Sequence, residues 1–194
     1  MASFFDRLGC YLLDVLLIFA ISSVISVFIP SKGNDINKEI TALTEKYTNG
    51  EVGSEAFINE YQDLMYKYQK ENYLSTVISV GLNFVYFVVF AYFNKGQTIA
   101  KKLMNIKVVD NRTEEKPKFW QMLVRNVFIY SLLSNVIILI LLFTSKNNFI
   151  YCYTLAGGFD LMFVMITVMF VLYRKDKRGL HDMMACTKVV KESV

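Results

Sequence analysis

This sequence predicts an all-α polytopic membrane bundle of four transmembrane helices. Three observations carry that prediction. Four stretches are almost free of charge, Leu8–Ile29, Tyr73–Phe93, Met122–Phe143 and Ile150–Tyr173, and each reaches the ~20 residues that cross a bilayer core as a helix. The 194-residue chain is 54% hydrophobic and 20% charged, against roughly 45–50% and about 25% in a soluble domain. Its lysines and arginines are also unequally shared among the connections, which sets orientation. Together these exclude an ordinary soluble enzyme, a disulfide scaffold and a disordered chain.

The orientation follows from the loops. The segment 31–72 holds five lysines and eight acids, and the segment 94–121 holds seven basic residues against three acids. The third connection holds only Lys146, and the tail from Arg174 holds six basic residues against three acids. The two basic segments face the cytoplasm, so both termini do as well. The chain is expected in a cell membrane, the cytoplasmic membrane of a bacterium, with the lipid bilayer as its first partner. The net charge of +4 is this inside bias, partly cancelled by an acidic outer loop, and not a nucleic-acid signal.

Span one is too long for a signal-peptide core, which has about 7–15 residues, and it carries Asp14. Pro30, Ser31, Lys32 and Gly33 stop it. The outer segment, about 31–72, reads as a helical hairpin. Ile36, Ile40, Leu43 and Tyr47 recur at helical spacing after a cap at Asn34, and Asn49-Gly50 ends that helix. Ser54 caps a second helix with Phe57, Tyr61, Leu64, Met65 and Tyr68 on one side. With no proline or glycine from Ser54 to Val80, that helix is expected to continue into span two for about 60 Å. It would then lift the hairpin clear of the membrane surface.

The inner connection opens with a short basic amphipathic helix, where Lys101 and Lys102 are candidate lipid-headgroup contacts. Ile106-Lys107-Val108-Val109 and Thr187-Lys188-Val189-Val190 are strand-like and pair as a small two-stranded ribbon, which needs support from its surroundings. Pro117 starts an interfacial elbow that places Trp120 at headgroup level. Glycines at 81 and at 157–158 are the hints of interruption or close packing within spans.

Ionisable residues inside a membrane carry a functional hypothesis by default. Asp14 lies about 9 Å into span one, and Arg7 shares its face two turns earlier. Arg125, at similar depth in span three, is the basic partner expected for Asp14. The competing reading makes Asp14 a proton- or cation-binding carboxylate. Asp160, Asn135 and Asn83 act as interhelical hydrogen-bonding groups or continue a polar path from Asp14. His181-Asp182 is read as a helix start, with Asp182 capping amides 183 to 185.

No catalytic motif is present, and the chain is expected not to be an enzyme. With His181 the single histidine and Cys10, Cys152 and Cys186 scattered, no metal site and no cofactor are expected. Cys152, the one thiol near the outer face, has no partner for a disulfide there.

Three segments, taken together, resemble a known family. They are Arg7-Leu8-Gly9-Cys10-Tyr11-Leu12-Leu13-Asp14, the run from Gly96-Gln97-Thr98 to Val108-Val109-Asp110, and the run from Arg178-Gly179-Leu180-His181-Asp182 to Lys188-Val189-Val190. Their order and spacing are similar to those of the RDD family, named for an arginine and two aspartates. The resemblance implies that Arg7 and Asp14 match the arginine and first aspartate, and Asp182 the second. Arg125 sits where a basic residue commonly starts the later span. Two departures stand out. Ala100 replaces a common second glycine after Gly-Gln-Thr, and the outer hairpin is longer than the family's short loop. The resemblance implies either of two roles. Some members look like cation/proton antiporters, and others act as partners or regulatory subunits of membrane protease and quality-control complexes.

Two functions are therefore carried forward. In one, Asp14 binds a proton or small cation and Arg7 or Arg125 tunes its charge, with a homo-oligomer supplying the pore that one short chain lacks. In the other, the charges hold the bundle together while the outer hairpin grips a protein partner. A cavity reaching Asp14 would favour the first, and a dry ion pair with an apolar groove on the hairpin the second.

Overall fold

A computed structural model describes residues 1–29 and 33–192. The expected stop at Pro30-Ser31-Lys32 and the Asn34 side-chain cap lie outside what it describes. The elements in chain order are α1 (Phe4–Val27), α2 (Gly33–Thr48), α3 (Ser54–Glu71), α4 (Tyr73–Phe84), a π-helical segment (Val85–Phe90), α5 (Ala91–Phe93), α6 (Ile99–Leu103), β1 (Ile106–Asp110), α7 (Phe119–Ile129), α8 (Leu132–Thr144), α9 (Lys146–Tyr173), α10 (Leu180–Met184) and β2 (Thr187–Lys191).

Among the described residues three continuous helices are long and apolar enough to cross a membrane, namely Phe4–Val27, Tyr73–Phe93 and Lys146–Tyr173. The third predicted span is instead two helices, α7 and α8, bent by 71°. The break falls at Ser131, a left-handed residue at φ 53°, which costs a non-glycine residue about 1 kcal/mol. The Ser131 carbonyl accepts from Asn135 N at 3.0 Å, the first bond of α8, and from Asn135 Nδ2 at 2.8 Å. The glycines behave otherwise than expected. Helix α9 runs unbroken through Gly157-Gly158, and a Cβ added at either would meet nothing within 4 Å.

Helix α1 begins earlier than the charge-free stretch does, because Ser3 and Asp6 form a reciprocal capping box. The Ser3 hydroxyl accepts from Asp6 N at 3.1 Å and Ser3 N donates to the Asp6 carboxylate at 2.9 Å. In span two the π-helical turn widens the backbone around Tyr86, Phe87 and Val88, all buried. The Phe87 carbonyl there accepts from Asn126 Nδ2 at 2.7 Å, a cross-helix bond that satisfies one backbone group of the irregular turn.

The hairpin forms as its periodicity predicts. Ile36 and Leu43 are buried, Tyr47 stacks on Phe57 at 4.4 Å, and Gly50 takes the left-handed turn at φ 76°. Two details differ. The N-cap of α3 is Gly53 rather than Ser54, and the helix breaks at Asn72 instead of entering span two. The hairpin therefore does not stand clear of the bundle. It leans on α8 and α9, where Tyr66 Oη donates to the Leu142 carbonyl at 3.1 Å and Gln69 Nε2 to Tyr153 Oη at 3.2 Å.

At the other end the first residues of the chain meet the last strand. β1 and β2 pair antiparallel with Val108 opposite Val189, as the sequence predicts, and Ala2 N donates to the Val189 carbonyl at 3.1 Å. The ribbon is supported because Ile106, Val108 and Val189 are buried with Cys10, Val88, Ala91, Ala100 and Met122. Gly96 makes the turn that delivers α6. It stands at φ 83°, and a Cβ there would lie 2.3 Å from the Val108 carbonyl oxygen. Pro117 precedes α7, whose N-cap is Lys118.

Candidate functional site

The ribbon, α6 and α10 fold back beneath the helices and bring the charged residues of all three motif segments together. Asp14, on α1, is fully buried. Its Oδ1 accepts from Tyr86 Oη at 2.5 Å and from Ala100 N at 3.3 Å, and its Oδ2 accepts from Thr98 Oγ1 at 2.6 Å. Lys101 Nζ stands 3.8 Å from Oδ2. Thr98 is the N-cap of α6, so one turn of chain supplies a hydroxyl, an amide and an ammonium to the same carboxylate. The Tyr86 oxygen in turn accepts from Ile99 N at 3.2 Å. Ala100 is the departure from the motif noted above, and its amide still reaches Asp14.

Asp182 is the second fully buried carboxylate. Arg7 Nη1 donates to its Oδ2 at 2.7 Å, Gly179 N donates to the same oxygen at 3.1 Å, and Arg125 pairs with Oδ1. Arg125 Nη1 also reaches Thr187 Oγ1 at 3.3 Å. The expected forward cap on amides 183 to 185 is thus reversed. Asp182 is the third residue of α10 and folds back on the amide of the N-cap Gly179. Gly179 must be small, since a Cβ would lie 2.8 Å from His181 Cε1.

The expected Asp14–Arg125 pair does not form. Arg7 and Arg125 both serve Asp182, and Asp14 is held by hydroxyls, an amide and Lys101. The physical reason is geometric, because α10 inserts a carboxylate between α1 and α7 while α6 covers Asp14. Lys101 is correspondingly turned inward, its side chain 13% exposed, and is not a headgroup contact. Lys102 remains exposed beside the exposed apolar Ile99 and Leu103. Burial pushes the Lys101 ammonium down to about 8 against the opposing pull of Asp14. Burial first, then Arg125, Arg7 and Lys101, hold the His181 imidazole well below its ordinary range, so it is neutral.

The remaining polar residues do not converge on this cluster. Asn83 Nδ2 donates to the Ser79 carbonyl at 2.8 Å and Asn135 to Ser131, each within its own helical run. Asp160 accepts from Ser134 Oγ at 2.8 Å, joining α9 to α8. Nothing in the sequence marks Tyr86 or Thr167, and Thr187 is marked only as the start of a strand-like run. One tyrosine among twelve carries no mark of facing a carboxylate, although Thr98 lies within the Gly-Gln-Thr segment.

A cavity of about 160 Å³ opens beside the cluster, lined by Arg7, Lys101, Arg125 and His181 and by apolar residues of α1, α7 and α9. Asp14 is not part of its wall. Fold and cluster together define an integral membrane protein with apolar helices and charged groups gathered at the end that carries the ribbon. This chain belongs to the RDD family, whose profile matches residues 1–186. No curated protein and no solved structure matches it.

Proposed function

We propose that this chain is a non-catalytic, partner-binding subunit of a membrane complex, with both termini on the cytoplasmic side and the hairpin outside. The observation that carries this reading is an apolar groove where the hairpin meets α9. It has a volume of about 360 Å³ and is lined by Phe57, Ile58, Tyr61, Met65, Ile150 and Tyr153, among others. Ile58 stands 50% exposed at its edge, and exposed apolar surface rimmed by polar groups marks interaction sites. The segment 31–72 holds three more acids than bases. The fitting partner is therefore an apolar helix of another membrane protein with basic flanks.

The same geometry weighs against cation transport. Asp14 has no exposed surface and every oxygen is engaged. The cavity nearest to it is walled by Arg7, Lys101 and Arg125, a field that repels a cation.

A photoreactive amino acid placed at Ile58 in cells should crosslink to a discrete protein, whereas the same group at Lys38, an exposed position on α2, should not. Reconstituted wild type and Asp14→Asn should show equal, leak-level cation-driven proton flux. Flux that depends on Asp14 would overturn this reading in favour of transport.

A further inference from the structure

The buried cluster is not neutral. Arg7, Lys101 and Arg125 meet two carboxylates, Asp14 and Asp182, and His181 is uncharged. The nearby Asp176 is already shared by Arg174 and Arg178 at 3.0 and 2.8 Å. Among the described residues one positive charge is left over in a region of low dielectric, where uncompensated charge is costly. Arg7 Nε and Nη2 and Thr167 Oγ1 are, among the described residues, buried without a hydrogen-bond partner, and both residues line the 160 Å³ cavity. Buried donors of this kind call for an acceptor.

Helix α1 packs chiefly on α4 and α6, while α9 packs on α7, α8 and α10. The cavity occupies the seam between α1 and α9, with Leu8 and Tyr11 of α1, Ile129 of α7, and Val164 and Val168 of α9 in its wall. Ribbon residues Ile106 and Val189, the charged Arg7, Lys101 and Arg125, and apolar residues of the two membrane-crossing helices α1 and α9 all contribute to its wall.

We infer that this seam binds a singly charged anionic amphiphile, its oxyanion against Arg7 and Thr167 and its hydrocarbon chain between α1 and α9. A phosphodiester headgroup or a carboxylate supplies the required charge of minus one. Either would complete the charge balance that the protein leaves open, and the guanidinium fork suits both. The inference does not depend on the hairpin's partner.

The test is native mass spectrometry of the full chain, purified with equimolar phosphatidylglycerol and phosphatidylcholine. Wild type should retain the anionic lipid over the zwitterionic one by about tenfold. Thr167→Val, which keeps the side chain's shape, should cut that preference by about threefold, while raising the melting temperature of the delipidated protein by removing an unpaired hydroxyl. Val164→Phe fills the seam and should abolish the preference. Oleate should compete with the retained lipid, and millimolar inorganic phosphate should not. Equal retention of the two lipids by wild type would overturn the inference. So would a preference unchanged in Thr167→Val, which places the lipid on the basic surface instead. Displacement by free phosphate would reduce the site to an anion site and overturn the amphiphile.

Discussion

The two ends of the molecule handle charge in opposite ways. At the end that carries the ribbon, Asp14 and Asp182 are fully buried and draw partners from across the chain, Arg7 reaching Asp182 over 175 positions. At the hairpin end the ion pairs lie on the surface. Lys38–Asp35 spans a single helical turn, and Lys67–Glu39 and Lys146–Asp63 link neighbouring helices, with side chains 44–86% exposed. Exposed pairs of this kind contribute little, while breaking a buried one leaves a desolvated charge without compensation. One end is built as a fixed polar lock and the other as an adjustable surface.

Asp182→Ala should show the contrast most strongly. It strands the guanidinium groups of Arg7 and Arg125 and removes the acceptor of Gly179 N. Thermal unfolding in detergent should report a loss of about 3–5 kcal/mol. Tyr86→Phe removes one donor to Asp14 and should cost about 1.5–3 kcal/mol by the same measurement, as for hydrogen bonds to charged groups.

The buried histidine sharpens the comparison by pH. The His181 imidazole is held below its ordinary 6.5 by burial and by Arg125, Arg7 and Lys101, with Asp182 Oδ1 3.5 Å from its Nε2. The folded state therefore binds fewer protons than the unfolded state once pH falls below 6.5. Its stability contribution should be complete above that value and decline as the solution is acidified. His181→Gln should flatten the decline in a melting-temperature series from neutral to acid pH. An unchanged slope would mean that the acid response lies elsewhere. The smallest effect belongs to the hairpin, where Lys38→Ala should change stability by less than ~1 kcal/mol. A larger loss there would erase the distinction between the two ends.

Much of this architecture is legible in the sequence because it rests on local pattern. Charge-free runs of span length mark the membrane helices, the 3.6-residue period marks the hairpin, and two strand-like runs mark the ribbon. Arg7, Asp14 and Asp182 are also visible as members of three motif segments. What pairs with what is not local. Asp14 meets Tyr86, Thr98 and Ala100, and Arg125 meets Asp182, because α6 and α10 insert between spans at depths no periodicity records. The breaks at Ser131 and Asn72 are likewise unmarked by proline or glycine. Ser131 is left-handed without being a glycine, and the hairpin next to Asn72 is held on the bundle by the Tyr66 and Gln69 bonds to α8 and α9, 76 and 84 positions away. A residue's type and spacing set which face of its own helix it occupies, while its partner depends on the rotation and depth of a second helix. Those are set by the packing of many side chains at once, and only the tertiary structure decides them.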